Sequence, residues 1–329
     1  MCYSARIWAD FRQYQRLGGQ LDIHAFVKMF VDRGRNGDLL SFVAKPLRNA
    51  FMTPRTKDEE PARDAAIEAY AQAAMQQEAI IAEQAERLLA AQAKLATRPT
   101  KTAANDARVA QNKIDAARTK LGLTTEQNEV VGWWRFYPGW FAPILLRDPA
   151  TGDRVVVPAR FRCRLPGWTR EDEKKKDGSY CARKDTLRTA WRKLFGSNHA
   201  LIVASRFYEA VDLHDLQRRA LVPGERAIST EISFTPDPEQ EMLLACLWRY
   251  VEGTLEEPGF YSFAMITRDP PPEVAAAGHD RCVIPIRPEN VDAWLHPDPG
   301  HLGDQLAILE EPINVSFRHE IVPKAKDAA

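Results

Sequence analysis

The sequence has no apolar run approaching the ~20 residues needed to cross a bilayer, which excludes a membrane-spanning helix. It also lacks any CxxC pair. Its five cysteines, Cys2, Cys163, Cys181, Cys246 and Cys282, are odd in number and scattered. That spacing argues against a disulfide framework and against a structural zinc site, and a cytoplasmic location is expected. The N-terminal stretch MCYSARIWADFRQYQ has no apolar h-region, so a secretory signal is not expected. Neither a metal-ligand cluster nor a cofactor fingerprint stands out, so metal and cofactor are both expected to be none.

Net charge is lacking too: 45 Lys and Arg face 45 Asp and Glu over 329 residues. With 45% hydrophobic and 27% charged residues, the chain can still bury a core. The balance conceals a segregation. Residues 159–206 carry 13 basic against 5 acidic side chains, whereas 207–329 carry 10 against 22. Two outcomes follow: the basic stretch builds an anion-binding surface, or the two regions neutralise each other by packing together.

Residues 59–121 are poor in aromatics, with Tyr70 alone among Ala, Gln, Glu, Lys and Arg. Ile67, Ala74, Ile81, Leu88 and Leu95 recur every seven residues. That spacing predicts a helix with one narrow apolar stripe. Arg98-Pro99 ends it, because proline disfavours a helical residue before it. Thr102–Leu121 reads as a second helix, with Gly122 as its stop. An antiparallel helical hairpin, suited to self-association or to a protein partner, is therefore expected over residues 57–128. The flanks have another texture. Four of the eight tryptophans fall in 130–168, and β-like runs occur at Ile144–Leu146, Val155–Val157, Leu201–Ala204 and Ser262–Thr267 between Pro, Gly and Asp turns. Short helices are predicted at Ile23–Arg33, Leu187–Phe195 and Glu289–Trp294. The fold class is α+β, a mixed body of residues 1–56 and 129–329 interrupted by the hairpin.

Cys2 is the first residue with chemistry. Aminopeptidases remove Met1 before a small side chain, which leaves a cysteine with a free α-amine and a thiol. The amine's reference pKa of about 7.7–8.0 keeps part of it neutral and nucleophilic at pH 7. Such a 1,2-aminothiol condenses with an aldehyde to an imine, which the thiol closes to a thiazolidine. A cysteine at position two can equally be incidental. Three further blocks carry polar residues at strand ends: Ser179-Tyr180-Cys181-Ala182-Arg183-Lys184-Asp185-Thr186, Phe207-Tyr208-Glu209, and Gly278-His279-Asp280-Arg281-Cys282.

Together with Cys2, the order of these blocks resembles the SRAP family (SOS response-associated peptidase). That family begins Met-Cys-Gly-Arg and has Asn-Ala-Arg-x-Glu-Thr, Phe-(Tyr/Phe)-Glu-Trp and His-Asp-Arg-Met-Pro blocks in this order. Arg135-Phe136-Tyr137-Pro138-Gly139 and Leu165-Pro166-Gly167-Trp168 are similar to its Pro-containing loop and Pro-Gly-Trp segment. The resemblance covers the body and not residues 57–128. It implies an SRAP-like mixed β-sheet or barrel body, and a protein that senses abasic sites in single-stranded DNA during the DNA damage response. Cys2 would capture the ring-opened abasic aldehyde as a DNA–protein crosslink. The resemblance also implies Glu209 as acid/base group and His279 as proton shuttle for lyase-type strand incision or crosslink reversal. Arg183 and Arg281 would hold flanking phosphates, and Trp168 would stack a base. In a bacterium such a protein would be nucleoid-associated.

Three positions depart from the family pattern: Cys181 stands for the asparagine, Tyr3 for the glycine after the cysteine, and Ala210 for the tryptophan after the glutamate. A thiol does not donate and accept as an amide does, so Cys181 bears on crosslink geometry. Two other functions are open to the sequence. One is a cysteine-type peptidase (a hydrolase) built on Cys2, and the other is a non-catalytic single-stranded-DNA-binding scaffold working through the hairpin.

Overall fold

The computed structural model describes residues 4–8, 11–125, 127, 133–176 and 178–323. They divide into two compact units, one built from 1–22 with 131–329 and the other from 23–130. Cys2 and Tyr3 lie outside the described residues. No described helix is long and apolar enough to cross a membrane.

The first unit is mostly strand. In chain order its strands are β1 (Ser4–Trp8), β2 (Gln20–Leu21), β3 (Trp133–Phe136), β4 (Phe141–Arg147) and β5 (Arg154–Phe161). There follow β6 (Cys181–Arg183), β7 (His199–Ala204), β8 (Arg206–Asp212), β9 (Ser229–Asp237) and β10 (Met242–Val251). The last are β11 (Phe260–Arg268), β12 (Cys282–Val283), β13 (Pro285–Ile286) and β14 (Ser316–Ile321). One sheet of five strands has the order β14-β9-β8-β1-β3. The other runs β11-β10-β7-β4-β5, and a parallel pairing of β5 with β11 closes it into a ring. The mixed sheet-and-barrel body expected from the sequence is therefore present, and each of the four β-like runs falls inside a strand.

β7 is buried along its whole length and β4 along all but its last residue, as expected of strands covered on both faces. Phe161 packs against Phe136 and Phe263 at 5.0 and 5.1 Å between ring centroids. Deleting one of these rings costs about 3–5 kcal/mol by cavity formation. Tyr14 pins the N-terminal segment to the barrel: its hydroxyl donates to the Pro143 carbonyl at 2.8 Å and accepts from the Val203 amide at 3.2 Å.

Leu187–Phe195 is not the helix its spacing predicts. It is a run of turns in which amides mostly reach back three residues, for example Thr189 to Thr186 and Leu194 to Trp191, and not four as in an α-helix. Leu187, Trp191, Leu194 and Phe195 are buried nonetheless, so turns satisfy the apolar demand that a helix would have met. Glu289–Trp294 resolves into a 3-10 turn at Pro288–Asn290 and a short helix at Val291–Leu295.

The second unit is helical. A 14-residue helix, Ile23–Asn36, packs on a 38-residue helix, Glu60–Thr97, which pairs in turn with Lys101–Thr125. The unit thus begins at Ile23, earlier than the change in sequence texture near residue 57. Gly34 explains the close approach, since a Cβ there would lie 3.0 Å from the Ala69 Cα and 2.5 Å from the Gln72 side-chain oxygen. Arg98 is extended (φ −146, ψ 96) and ends the long helix before Pro99 as expected. The Thr100 hydroxyl caps the next helix by accepting from the Ala103 amide at 3.1 Å. That helix runs through Gly122 to Thr125, so Gly122 is not its stop. The fully buried seam also differs from the apolar stripe. Tyr70, Gln77, Gln84 and Ala91 are buried at a spacing of seven, as are Ala103, Ala110, Ala117 and Thr124 on the partner helix. Ile67 is 44% exposed. Small partner residues let the two helices approach along the alanine seam, which leaves the larger aliphatic side chains at its margin.

Candidate functional site

Strand β8 alternates as a half-buried strand must: Phe207, Glu209 and Val211 point one way, Arg206, Tyr208 and Ala210 the other. Glu209 is fully buried. The turn at Gly278 (φ +87) brings up its partner; a side chain here would be strained and would meet the Asp215 Cβ at 3.0 Å. His279 then places Nε2 at 3.1 Å from the Glu209 carboxylate. Its Nδ1 lies 2.9 Å from the Arg281 carbonyl and 3.3 Å from the Arg281 amide. If Nδ1 donates to the carbonyl, Nε2 and Oε2 approach as two acceptors unless a proton sits on one of them. If Nδ1 accepts from the amide, Nε2 itself carries the proton. The second tautomer places a proton at the contact, and the first does so only with one added. Burial pushes the His279 pKa below its ordinary value, the Arg281 carbonyl acting against it.

Arg281, whose backbone bonds to His279, lines a cavity of about 390 Å³ with Trp168, Cys181, Arg183, Trp191 and Thr267, and neither Glu209 nor His279 lines it. Trp168, Cys181, Arg183 and Arg281 were candidates from sequence, and they arrive from three separate places in the chain. Trp168 follows a turn at Gly167, where its amide bonds to the Leu165 carbonyl. Cys181 and Arg183 sit on β6, in parallel register with Met265 and Thr267 of β11. Arg281 leads into β12. The Ser179 and Thr267 hydroxyls, also on the cavity, are buried without hydrogen-bond partners. No sequence signal marks them as site residues; only the enclosure does. Trp168 carries Lys176 against its ring at 4.5 Å. A second cavity of about 200 Å³ shares Trp168 and Trp191 and adds Arg192 and Lys193.

Both cavity arginines already hold acids. Arg183 makes a two-point contact with Asp185 at 3.0 and 2.8 Å, which raises its pKa, and both side chains are exposed. Arg281 bonds to Asp269 at 3.2 Å and to the Asp280 carbonyl at 2.7 Å. A phosphate reaching either must share or displace a carboxylate.

Much of the basic stretch 159–206 serves structure instead. Arg160 and Arg164 both bind the buried Glu173 carboxylate, and Arg164 also binds Glu257 at 2.6 and 3.1 Å. Arg249 donates to the carbonyls of Arg164 and Leu165 at 3.0 and 2.7 Å. This network fixes the turn that presents Trp168. It shows the basic stretch neutralised in part by the acidic one. As for cations, Asp212, His214 and Asp215 bring three ligand atoms within 4.8 Å of one another, the one such group among the described residues.

A family model described as SOS response associated peptidase (SRAP) matches residues 97–324. A solved protein from Bordetella bronchiseptica is similar at 18% identity and TM-score 0.45, covering 58% of this chain and 87% of its own. One from Bacteroides thetaiotaomicron is 14% identical with TM-score 0.44, covering 58% and 78%. A phage-related protein from Bordetella bronchiseptica is 19% identical with TM-score 0.43, covering 59% and 84%. No curated protein matches the chain.

Proposed function

The chain belongs to the SOS response associated peptidase family, named for the response to DNA damage and for peptidase-like chemistry, and from that premise we propose that it captures abasic sites in single-stranded DNA covalently. The observation that carries this reading is the buried Glu209–His279 pair at 3.1 Å, joined through the Arg281 backbone to a cavity bearing Trp168, Cys181 and Arg183. With Met1 removed, the Cys2 α-amine adds to the aldehyde carbon of the ring-opened sugar. Proton transfer to the hydroxyl of that adduct expels one water and leaves an imine. The thiol then adds to the imine carbon, its proton passes to nitrogen, and a thiazolidine results.

The pair is suited to the proton transfers. Glu209 takes or gives the proton at its carboxylate, and His279 relays it. Arg183 and Arg281 take the phosphates on either side of the lesion, exchanging aspartate for phosphate oxygens. Trp168 supplies a ring face for a neighbouring base. Cys181 presents a thiol where the family carries asparagine.

The test is a denaturing-gel assay with a single-stranded oligonucleotide holding one abasic site. The account expects a DNA-shifted band that disappears when the aldehyde is first reduced with borohydride. A shifted band that survives reduction contradicts aldehyde capture. Salt-sensitive binding without a band points to the scaffold function, and turnover of a protein substrate without DNA points to the peptidase.

A further inference from the structure

The small sheet carries a row of arginines on the face opposite Glu209. Arg135 of β3 lies directly across from Arg6 of β1, and Arg6 directly across from Arg206 of β8. Neighbouring strands stand roughly 4.8 Å apart, so three guanidinium-bearing positions fall within about 10 Å. Like charges directly opposite one another on a sheet oppose folding unless something compensates them.

Arg135 is compensated within the fold. It grips Glu231 at two points, 2.7 and 2.6 Å, donates to the Ser4 hydroxyl at 2.5 Å, and stacks on the Tyr208 ring at 3.6 Å. Arg206 is held more loosely. The Glu239 carboxylate is shared by Arg6 and Arg206, each at 4.0 Å, and by Arg318 of β14 at 3.4 Å. Arg6 also donates to the Ser205 hydroxyl at 3.0 Å. Its pKa is lowered, by burial first and by the Arg206 charge second. Arg206 has a buried Nε that makes no hydrogen bond. Glu239 itself is half exposed. Three guanidiniums around one half-exposed carboxylate, one of them with an unused donor, can take the two non-bridging oxygens and single negative charge of a phosphodiester in its place.

We propose that Arg6, Arg206 and Arg318 form a second phosphate site, which takes a backbone phosphodiester of the single strand away from the lesion, with Glu239 as the carboxylate it displaces. This rests on the single-stranded-DNA reading above and adds a contact outside the Trp168 cavity. Its occupant is recognised through phosphate alone, so it adds affinity without base preference. Free inorganic phosphate shares that chemistry and is separated by a second arm of the test.

The experiment measures binding of an undamaged fluorescent single-stranded oligonucleotide to the full-length protein by anisotropy over a range of NaCl. Each phosphate contact on a single strand contributes about 0.7 to the slope of log K against log salt. Arg318→Gln, at a half-exposed position that does not threaten folding, is expected to weaken binding several-fold and flatten the slope by about 0.7. Arg206→Gln should do the same. Glu239→Gln should tighten binding several-fold, an effect of opposite sign that loss of structure cannot mimic. Parental affinity and slope in both Arg318→Gln and Glu239→Gln overturn the site while leaving the parent reading standing. A parent protein that fails to bind single-stranded DNA at all overturns both. In the second arm, inorganic phosphate replaces DNA. Thermal stabilisation by phosphate that Arg318→Gln abolishes, without DNA binding by the parent, overturns the DNA occupant and leaves a small-anion site.

Discussion

Replacing Glu209 with Gln changes one atom type in a fully buried position and keeps the shape of the side chain. It removes the carboxylate that faces His279 at 3.1 Å. An amide cannot take up or release the proton there. General acid–base catalysis contributes about 10²–10⁴-fold, and His279 remains to supply part of it, so the lower end applies. Crosslinking to an abasic oligonucleotide at saturating DNA should slow by roughly 100-fold, equivalent to about 2.7 kcal/mol of barrier. Stability should change little, because the substitution exchanges a buried charge for a neutral group of equal size. Adduct is followed by denaturing gel from single-turnover time courses, with a melting curve beside it. The pH dependence gives a second readout. The variant's rate should follow His279 alone, with a midpoint below 6.5 because burial disfavours its charged form. A folded variant that crosslinks within threefold of the parent rate refutes the acid/base role of this pair.

Three other outcomes are expected. Stability should fall as pH drops from 6.5 towards 3. Buried His199, stacked on Trp294 at 4.0 Å, has its pKa lowered to about 3, so below 6.5 the unfolded chain binds a proton that the folded one refuses. Denaturant titrations should lose up to about 1.4 kcal/mol per pH unit from this group, and a His199→Asn variant as acid-sensitive as its parent contradicts the assignment. Cys181→Asn should keep or raise the crosslinking rate, since an amide there lies on the cavity with the unpartnered Ser179 and Thr267 hydroxyls; a tenfold loss in a folded variant rules this out. Removing 59–126 should expose Phe26, Met29 and Phe30 of the first helix and strip hydrogen-exchange protection from 23–56, whereas removing only 82–112 with a short Gly/Ser turn should leave protection and crosslinking intact.

Much of this was legible because short signals coincided with strong local physics. β-branched and aliphatic runs between turn residues became the barrel strands, and Arg98-Pro99 ended a helix where a preceding-proline residue must extend. The hairpin's period was legible, but its buried seam was not. That seam is set by the alanines at 103, 110 and 117 on the partner helix, which no pattern within the first helix reveals. Leu187–Phe195 shows the converse limit, where helical spacing of apolar residues was met by turns. At the site, the blocks around Cys181, Glu209 and His279 were visible as polar residues expected at strand ends, although Glu209 lies midway along β8. Their convergence was a matter of topology: β6 lies in parallel register beside β11, and Gly278 turns His279 onto Glu209. The charge asymmetry of 159–206 misled in part, because Arg160 and Arg164 are held by buried Glu173 and Arg164 also by Glu257 of the acidic stretch. The row of arginines on the small sheet had no sequence signature, since its members lie at positions 6, 135, 206 and 318.

The most direct test is intact mass spectrometry of the purified protein before and after incubation with single-stranded DNA carrying one abasic site. The account predicts loss of Met1, then a mass increase equal to the DNA less one water, stable to denaturation. Cys2→Ala should abolish that stable adduct and leave only an imine that borohydride can trap. Processed protein with an unreacted Cys2 and no adduct, or an adduct of equal stability in Cys2→Ala, contradicts the account.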